Sequence, residues 1–379
     1  MRRWASVLVG IVTTLLCVGI TEIVLRRLAE RHEVRLQSGE RKTVFNPYRT
    51  DAQLSYALRP GWSGVHDSAD FRVGVHVNAL GMRGAEQPRE KTPGVRRVLV
   101  LGDSFGFGWG VEDAEAFPAR LEARWRNAGQ AVDVLDAAVP GYAADQSLLF
   151  LRERGFALAP DLIVLASCQN DVEDLGATRL ELGADRLPRR TESLRRFIGE
   201  DGRMHYLNEA GRPLPEWSLP GSRWLVEHSL FYTYLRYNAV RIWLGATERF
   251  AIQRREREAG SAPEGPIESL PLEEIERGLQ TGPDFQLRYH RFLVDAIRRE
   301  AARRGIPLVT VVTGSEVGPL SDDCGRDTEC LDLAKQLSRA RYPDAYLALD
   351  GHWSARGHAL AADAIDAWFA AKGLLAREG

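Results

Sequence analysis

Ser104 follows an apolar run in Arg97-Val-Leu-Val-Leu-Gly-Asp-Ser104, and an Asp350-Gly351-His352 triplet lies near the other end of the chain. A serine hydroxyl becomes a good nucleophile when an imidazole takes its proton, and a carboxylate can hold that imidazole in the right tautomer. These three residue types together suit attack on an acyl carbonyl, the chemistry of a hydrolase. Residues 98–101 are too few for a helix and alternate valine with leucine, so they are predicted to form a central strand that delivers Ser104 to a turn. In open parallel α/β sheets the ligand crevice lies beyond the carboxyl ends of the strands, where such a serine meets substrate.

Gly106, Gly108 and Gly110 follow the serine, but their spacing is neither a dinucleotide fingerprint nor a P-loop, and no Lys-Ser or Lys-Thr pair comes after them. A phosphate-binding loop is therefore not expected, and no cofactor is. Of the four cysteines, none has zinc spacing and no metal is expected. Cys324 and Cys330 share a polar loop and are either a short disulfide, which would fit an oxidising compartment, or two free thiols. Cys168 ends an apolar run and is expected to pack as a small hydrophobe.

The positioning elements follow from periodicity. Strand-like runs at 98–101, 132–135, 162–165 and 307–313 alternate with helical patterns at 117–126, 143–154 and 285–304. That alternation predicts a doubly wound parallel sheet. A further strand at 345–349 would place Asp350 and His352 just past its end, before a last helix over 361–371. Between 29 and 95 the chain is expected to be a linker followed by short strands, one of them over 71–77. Residues 175–282 interrupt the pattern as a helical insertion rich in aromatics, including Trp217, Trp224, Trp243 and the run Phe231-Tyr-Thr-Tyr-Leu-Arg-Tyr237. Those side chains either line a substrate cleft or pack in a core or interface, the commoner fate of aromatics.

The chain has 379 residues, 44% of them hydrophobic, and a formal charge of −2. With no dense basic stripe, nucleic acid is not an expected partner. The basic stretch from Arg249 to Arg257 is expected to be the solvated face of a helix. Residues 4–25 are apolar apart from Ser6, Thr13, Thr14, Thr21 and Glu22, and at about 1.5 Å per residue they can cross a ~30 Å hydrocarbon layer. No small-x-small cleavage site follows, so a membrane anchor is expected rather than a cleaved signal. Arg2 and Arg3 favour a cytoplasmic amino terminus, while Arg26, Arg27, Arg31 and Arg35 argue the reverse. Long domains translocate largely regardless of such charges, and an extracytoplasmic domain is expected.

Four blocks now stand in order, each after a predicted strand: Gly102-Asp103-Ser104, the glycine of Val139-Pro140-Gly141-Tyr142, Asn170-Asp171, and Asp350-Gly351-His352-Trp353. In these the chain resembles the SGNH/GDSL hydrolase superfamily from about residue 78 to the end of the last helix. The resemblance implies a flavodoxin-like three-layer α/β/α sandwich with a parallel sheet and a shallow, open site. It implies Ser104 as nucleophile, His352 as base and Asp350 as the acid orienting it. The oxyanion hole would be the N–H groups of Ser104 and Gly141 and the side-chain amide of Asn170. One departure is Cys168, where the family often has a glycine. Asp103 and Asp171 are expected to hold turns.

The expected organisation is an anchor over 1–28, an extension over 29–95, and a hydrolase domain over 96–375 carrying the insertion at about 175–282. The expected activity is a serine-dependent esterase acting through an acyl-enzyme on an acyl ester, such as one on a cell-envelope glycan or lipid. Two alternatives stand beside it: an O-acyltransferase using the same residues, and a non-catalytic carbohydrate-binding or scaffold module on an inherited fold.

Overall fold

The computed structural model describes residues 2–31, 45–68, 70–199, 204–206, 224–225, 228–236, 239, 260–315 and 317–374. Five segments pair in parallel: β1 (Arg96–Gly102), β2 (Val132–Asp136), β3 (Leu162–Cys168), β4 (Leu308–Thr313) and β5 (Cys330–Asp332). Their spatial order is β2-β1-β3-β4-β5. This is the flavodoxin-like order, with a topological switch point beside β1. The flanking helices are α1 (Phe117–Asn127), α2 (Ala144–Phe150), α3 (Gln169–Leu175), α4 (Pro283–Ala302) and α5 (Ala355–Lys372).

The near-continuous apolar strands arise because both faces of the sheet are covered. Val98 and Val100 point to one face, where Phe117, Leu121 and Trp125 of α1 meet Ile365 and Phe369 of α5. Leu99 and Leu101 point to the other, onto Leu148 and Leu149 of α2 and Leu293 and Ile297 of α4. Each such side chain contributes roughly 1.5–3 kcal/mol on full burial. The result is the three-layer α/β/α sandwich.

One expected strand is absent. Residues Pro343–Ala345 form a 3-10 turn, and Tyr346 makes an isolated antiparallel bridge to Trp353 instead of joining the sheet. The Leu347 N–H donates to the His352 carbonyl at 2.8 Å, and the Ser354 N–H donates to that of Ala345 at 2.9 Å. The chain thus satisfies its backbone groups by folding on itself, and Gly351, with φ of 92°, makes the turn. The fifth strand is Cys330–Asp332, too short to show a period.

Among its described residues the extension holds two antiparallel hairpins, Tyr48–Asp51 with Ser55–Leu58 and Ser63–Asp67 with Arg72–His76. Its Leu54, Tyr56, Leu58, Val73, Val75 and Val77 belong to the same buried cluster as Leu99 and Leu101. The insertion opens on two further hairpins, Thr178–Leu182 with Pro188–Ser193 and Arg196–Ile198 with Met204–Tyr206, and is helical at 230–236. Trp217, Tyr237, Trp243 and the basic stretch 249–257 lie outside the described residues.

The amino-terminal helix spans Arg2–Arg31. Its stretch Ser6–Leu28 has a mean hydropathy of 2.3 and none of it is buried, so it is long and apolar enough to be a membrane anchor or a signal sequence. Glu22 accepts hydrogen bonds from Ser229 Oγ and from the N–H groups of Leu230 and Phe231, which ties the insertion's helix to this one.

Cys324 and Cys330 form a disulfide, while Cys17 and Cys168 are free. Mass spectrometry of the unfolded chain, alkylated without reductant, should therefore count two modified cysteines, and four after reduction. Four before reduction would contradict the pairing.

Candidate active site

Ser104 and His352, 248 positions apart in sequence, meet at the carboxyl end of β1, where Ser104 Oγ lies 2.7 Å from His352 Nε2. The other ring nitrogen, Nδ1, is hydrogen-bonded to Asp350 Oδ1. Burial by itself would raise the Asp350 carboxyl, but hydrogen bonds from His352 and Trp109 outweigh it and hold it below the usual range. An ionised carboxylate only accepts, so Nδ1 carries the ring proton and Nε2 is left to accept from the serine.

The local sequence explains why the serine projects. Gly102 has φ of 146°, and a Cβ there would lie 2.4 Å from the Ala166 carbonyl oxygen, so only glycine lets β1 turn this close to β3. Asp103 then accepts from the Phe105 N–H at 2.9 Å and caps the short helix Ser104–Phe107. As the first residue of that helix, Ser104 has an N–H with no intrahelical acceptor. The glycines beyond serve packing. A Cβ at Gly108 would lie 2.6 Å from Ala116 Cβ, and one at Gly110 2.6 Å from Leu347 Cδ1.

Trp109 stands between those two glycines, and its indole N–H donates to Asp350 Oδ2 at 3.1 Å. Sequence reasoning missed it; a tryptophan inside a glycine run was the available signal. Behind His352, Trp353 is fully buried. Phe105 contacts both rings, with centroids 4.9 Å from His352 and 5.0 Å from Trp353.

Gly141 lies in the turn after β2 with φ of 78°, and its N–H has no acceptor among the described residues. Asn170 is in the first turn of α3, with one amide hydrogen directed to Asp103 Oδ2 at 3.4 Å. It is not the helix cap, because Asp171 accepts from the Cys168 N–H at 3.0 Å and closes that end. Asp103 is fully buried, and burial pushes its carboxyl up despite the hydrogen bonds it accepts from Phe105 and Asn170. Cys168 is buried too, and its thiol is pushed up by the same cause.

Ser104, Gly141, Asn170, Asp350 and His352 all line one cavity of about 520 Å³, together with Trp109 and Arg196. The described aromatics of 224–236 do not line it. Among the described residues no group of histidine, cysteine, aspartate and glutamate could hold a metal ion.

No family model matches the chain, and no curated protein does. Solved structures resemble it. TesA is 26% identical over 20% of this chain and 43% of its own length, with a TM-score of 0.20. AlinE4, an SGNH-hydrolase family esterase, is 28% identical over 22% of this chain and 44% of its own length, with a TM-score of 0.19. The chain thus matches less than half the length of either. A lipase/acylhydrolase from Enterococcus faecalis is 11% identical over 73% of this chain and 97% of its own, with a TM-score of 0.27.

Proposed function

We propose that this chain is a serine ester hydrolase, attached to a membrane by residues 1–28, with an extracytoplasmic catalytic domain over 96–375. The observation that carries the reading is the contact of Ser104 Oγ with His352 Nε2 at 2.7 Å, backed by Asp350 and open to the cavity. In the first step the Ser104 proton passes to His352 Nε2 as Oγ bonds to the ester carbonyl carbon. Negative charge then gathers on the carbonyl oxygen, facing the N–H groups of Ser104 and Gly141 and the second amide hydrogen of Asn170. His352 returns the proton to the departing alcohol oxygen, the ester C–O bond breaks, and an acyl-Ser104 remains. Water, deprotonated by the same imidazole, releases the acid and restores the serine.

The substrate class that suits an open cavity of this size on a tethered domain is an acyl ester of a cell-envelope glycan or lipid. The test is to supply a panel of short and long acyl esters to the full chain in detergent, with and without an added sugar acceptor. Release of free acid that fluorophosphonate blocks supports hydrolysis. Acyl transfer to the sugar in place of acid release would assign the acyltransferase instead, and neither product would overturn both.

Asn170→Ala should lower kcat on the order of 10²–10³-fold, with little change in KM, since it removes one donor that acts mainly on the transition state. A change below about threefold in steady-state assays would remove Asn170 from the oxyanion hole.

A further inference from the structure

The two hairpins of the extension reach both halves of the site. Tyr56, on Ser55–Leu58, is 1% exposed, and its hydroxyl donates to the Pro140 carbonyl at 3.0 Å. In a trans peptide the C=O and N–H point in opposite directions. A Pro140 carbonyl held by Tyr56 therefore turns the Gly141 N–H away from the extension. Tyr56 is itself held, because Tyr142 Oη donates to its carbonyl at 2.6 Å and Arg196 Nη1 donates to its hydroxyl at 3.3 Å. The same Arg196 nitrogen donates to the Gly141 carbonyl at 2.9 Å, so peptides on both sides of Gly141 are pinned.

On the second hairpin's loop, the buried Asp70 directs Oδ2 at the N–H groups of Leu349 and Asp350, at 2.9 and 3.2 Å. These are the backbone groups immediately before the carboxylate that holds His352. We infer that Tyr56 and Asp70 are positioning residues for the reaction, Tyr56 aiming the Gly141 donor and Asp70 fixing the Asp350 turn, so that residues 45–77 are part of the catalytic unit. The inference rests on the hydrolase reading of Ser104. Its physical basis is that donors fixed in advance need no reorganisation during the reaction, and that a misplacement of about 1 Å can cost on the order of 10² in rate.

The test measures kcat, KM, the rate of fluorophosphonate labelling and Tm for full-length variants. Tyr56→Phe keeps the ring and removes the donor; kcat and labelling rate should both fall about tenfold, with KM within about twofold. Asp70→Ala should lower kcat by about thirtyfold, whereas Asp70→Asn, which keeps an oxygen facing both N–H groups, should stay within about threefold of the parent. Leu121→Ala, a core truncation on α1 outside the extension, controls for stability and should lower Tm while leaving kcat unchanged.

Tyr56→Phe with kcat and labelling rate within about twofold of the parent would overturn the inference. So would losses that track Tm across all the variants. Should Asp70→Ala fail to fold, Tyr56→Phe decides alone. A parent chain that neither labels nor hydrolyses any ester would remove the hydrolase reading, and the inference with it. A parent that labels, beside variants that label equally fast, would remove the inference alone.

Discussion

Ser104→Ala is expected to lower kcat on the order of 10⁶-fold while leaving KM and the fold nearly unchanged. The hydroxyl is the only group on this side chain that can bond to the carbonyl carbon, so no acyl-enzyme forms without it. What remains is the cavity and the oxyanion donors, which still favour the charged transition state for direct attack by water, so a residual rate above the uncatalysed one is expected. His352→Ala should cost about as much, and the double variant little more, because the two residues act as a unit. Single losses that multiply in the double variant would show that serine and histidine work independently.

Asp350→Asn should lower kcat by about 10⁴-fold, for a reason the hydrogen bonds around it make specific. Asp350 Oδ2 already accepts from the Trp109 indole, so an asparagine here sets its oxygen toward Trp109 and its NH₂ toward His352 Nδ1. The ring nitrogen must then accept, which moves the proton to Nε2 and leaves no acceptor for Ser104. The Trp109 hydrogen bond has a second consequence. In the Asp350→Asn background, Trp109→Phe frees the amide to turn over, and part of the lost rate should return. Additive losses in that double-mutant cycle would place the cost elsewhere.

The strand carrying Ser104 was legible because both of its faces are buried, which writes a continuous apolar run into the sequence, and because the glycine after it marks the close approach to β3. The Asp350–His352 turn was legible in residue type but not in support. Its leading segment, 345–349, has strand composition yet closes on Trp353, a choice made by tertiary packing. The three residues of β5 are too few for any period to appear.

Least legible were the groups that hold the site from afar. The Tyr56–Pro140, Trp109–Asp350 and Asp70–Asp350 contacts join residues 84, 241 and 280 positions apart, and nothing local to Tyr56 or Asp70 marks theirs. Asn170 was placed in the site, but the carboxylate of Asp103 that holds its amide was expected only to cap a turn. Both roles fall to that one buried side chain.

The most direct test of the central claim is to react the full chain with a fluorophosphonate, weigh the intact protein and map the adduct by peptide sequencing. One adduct per chain is expected, on the peptide containing Ser104, and none when the chain is unfolded beforehand. No adduct on the folded chain, or an adduct on any other residue, would contradict it.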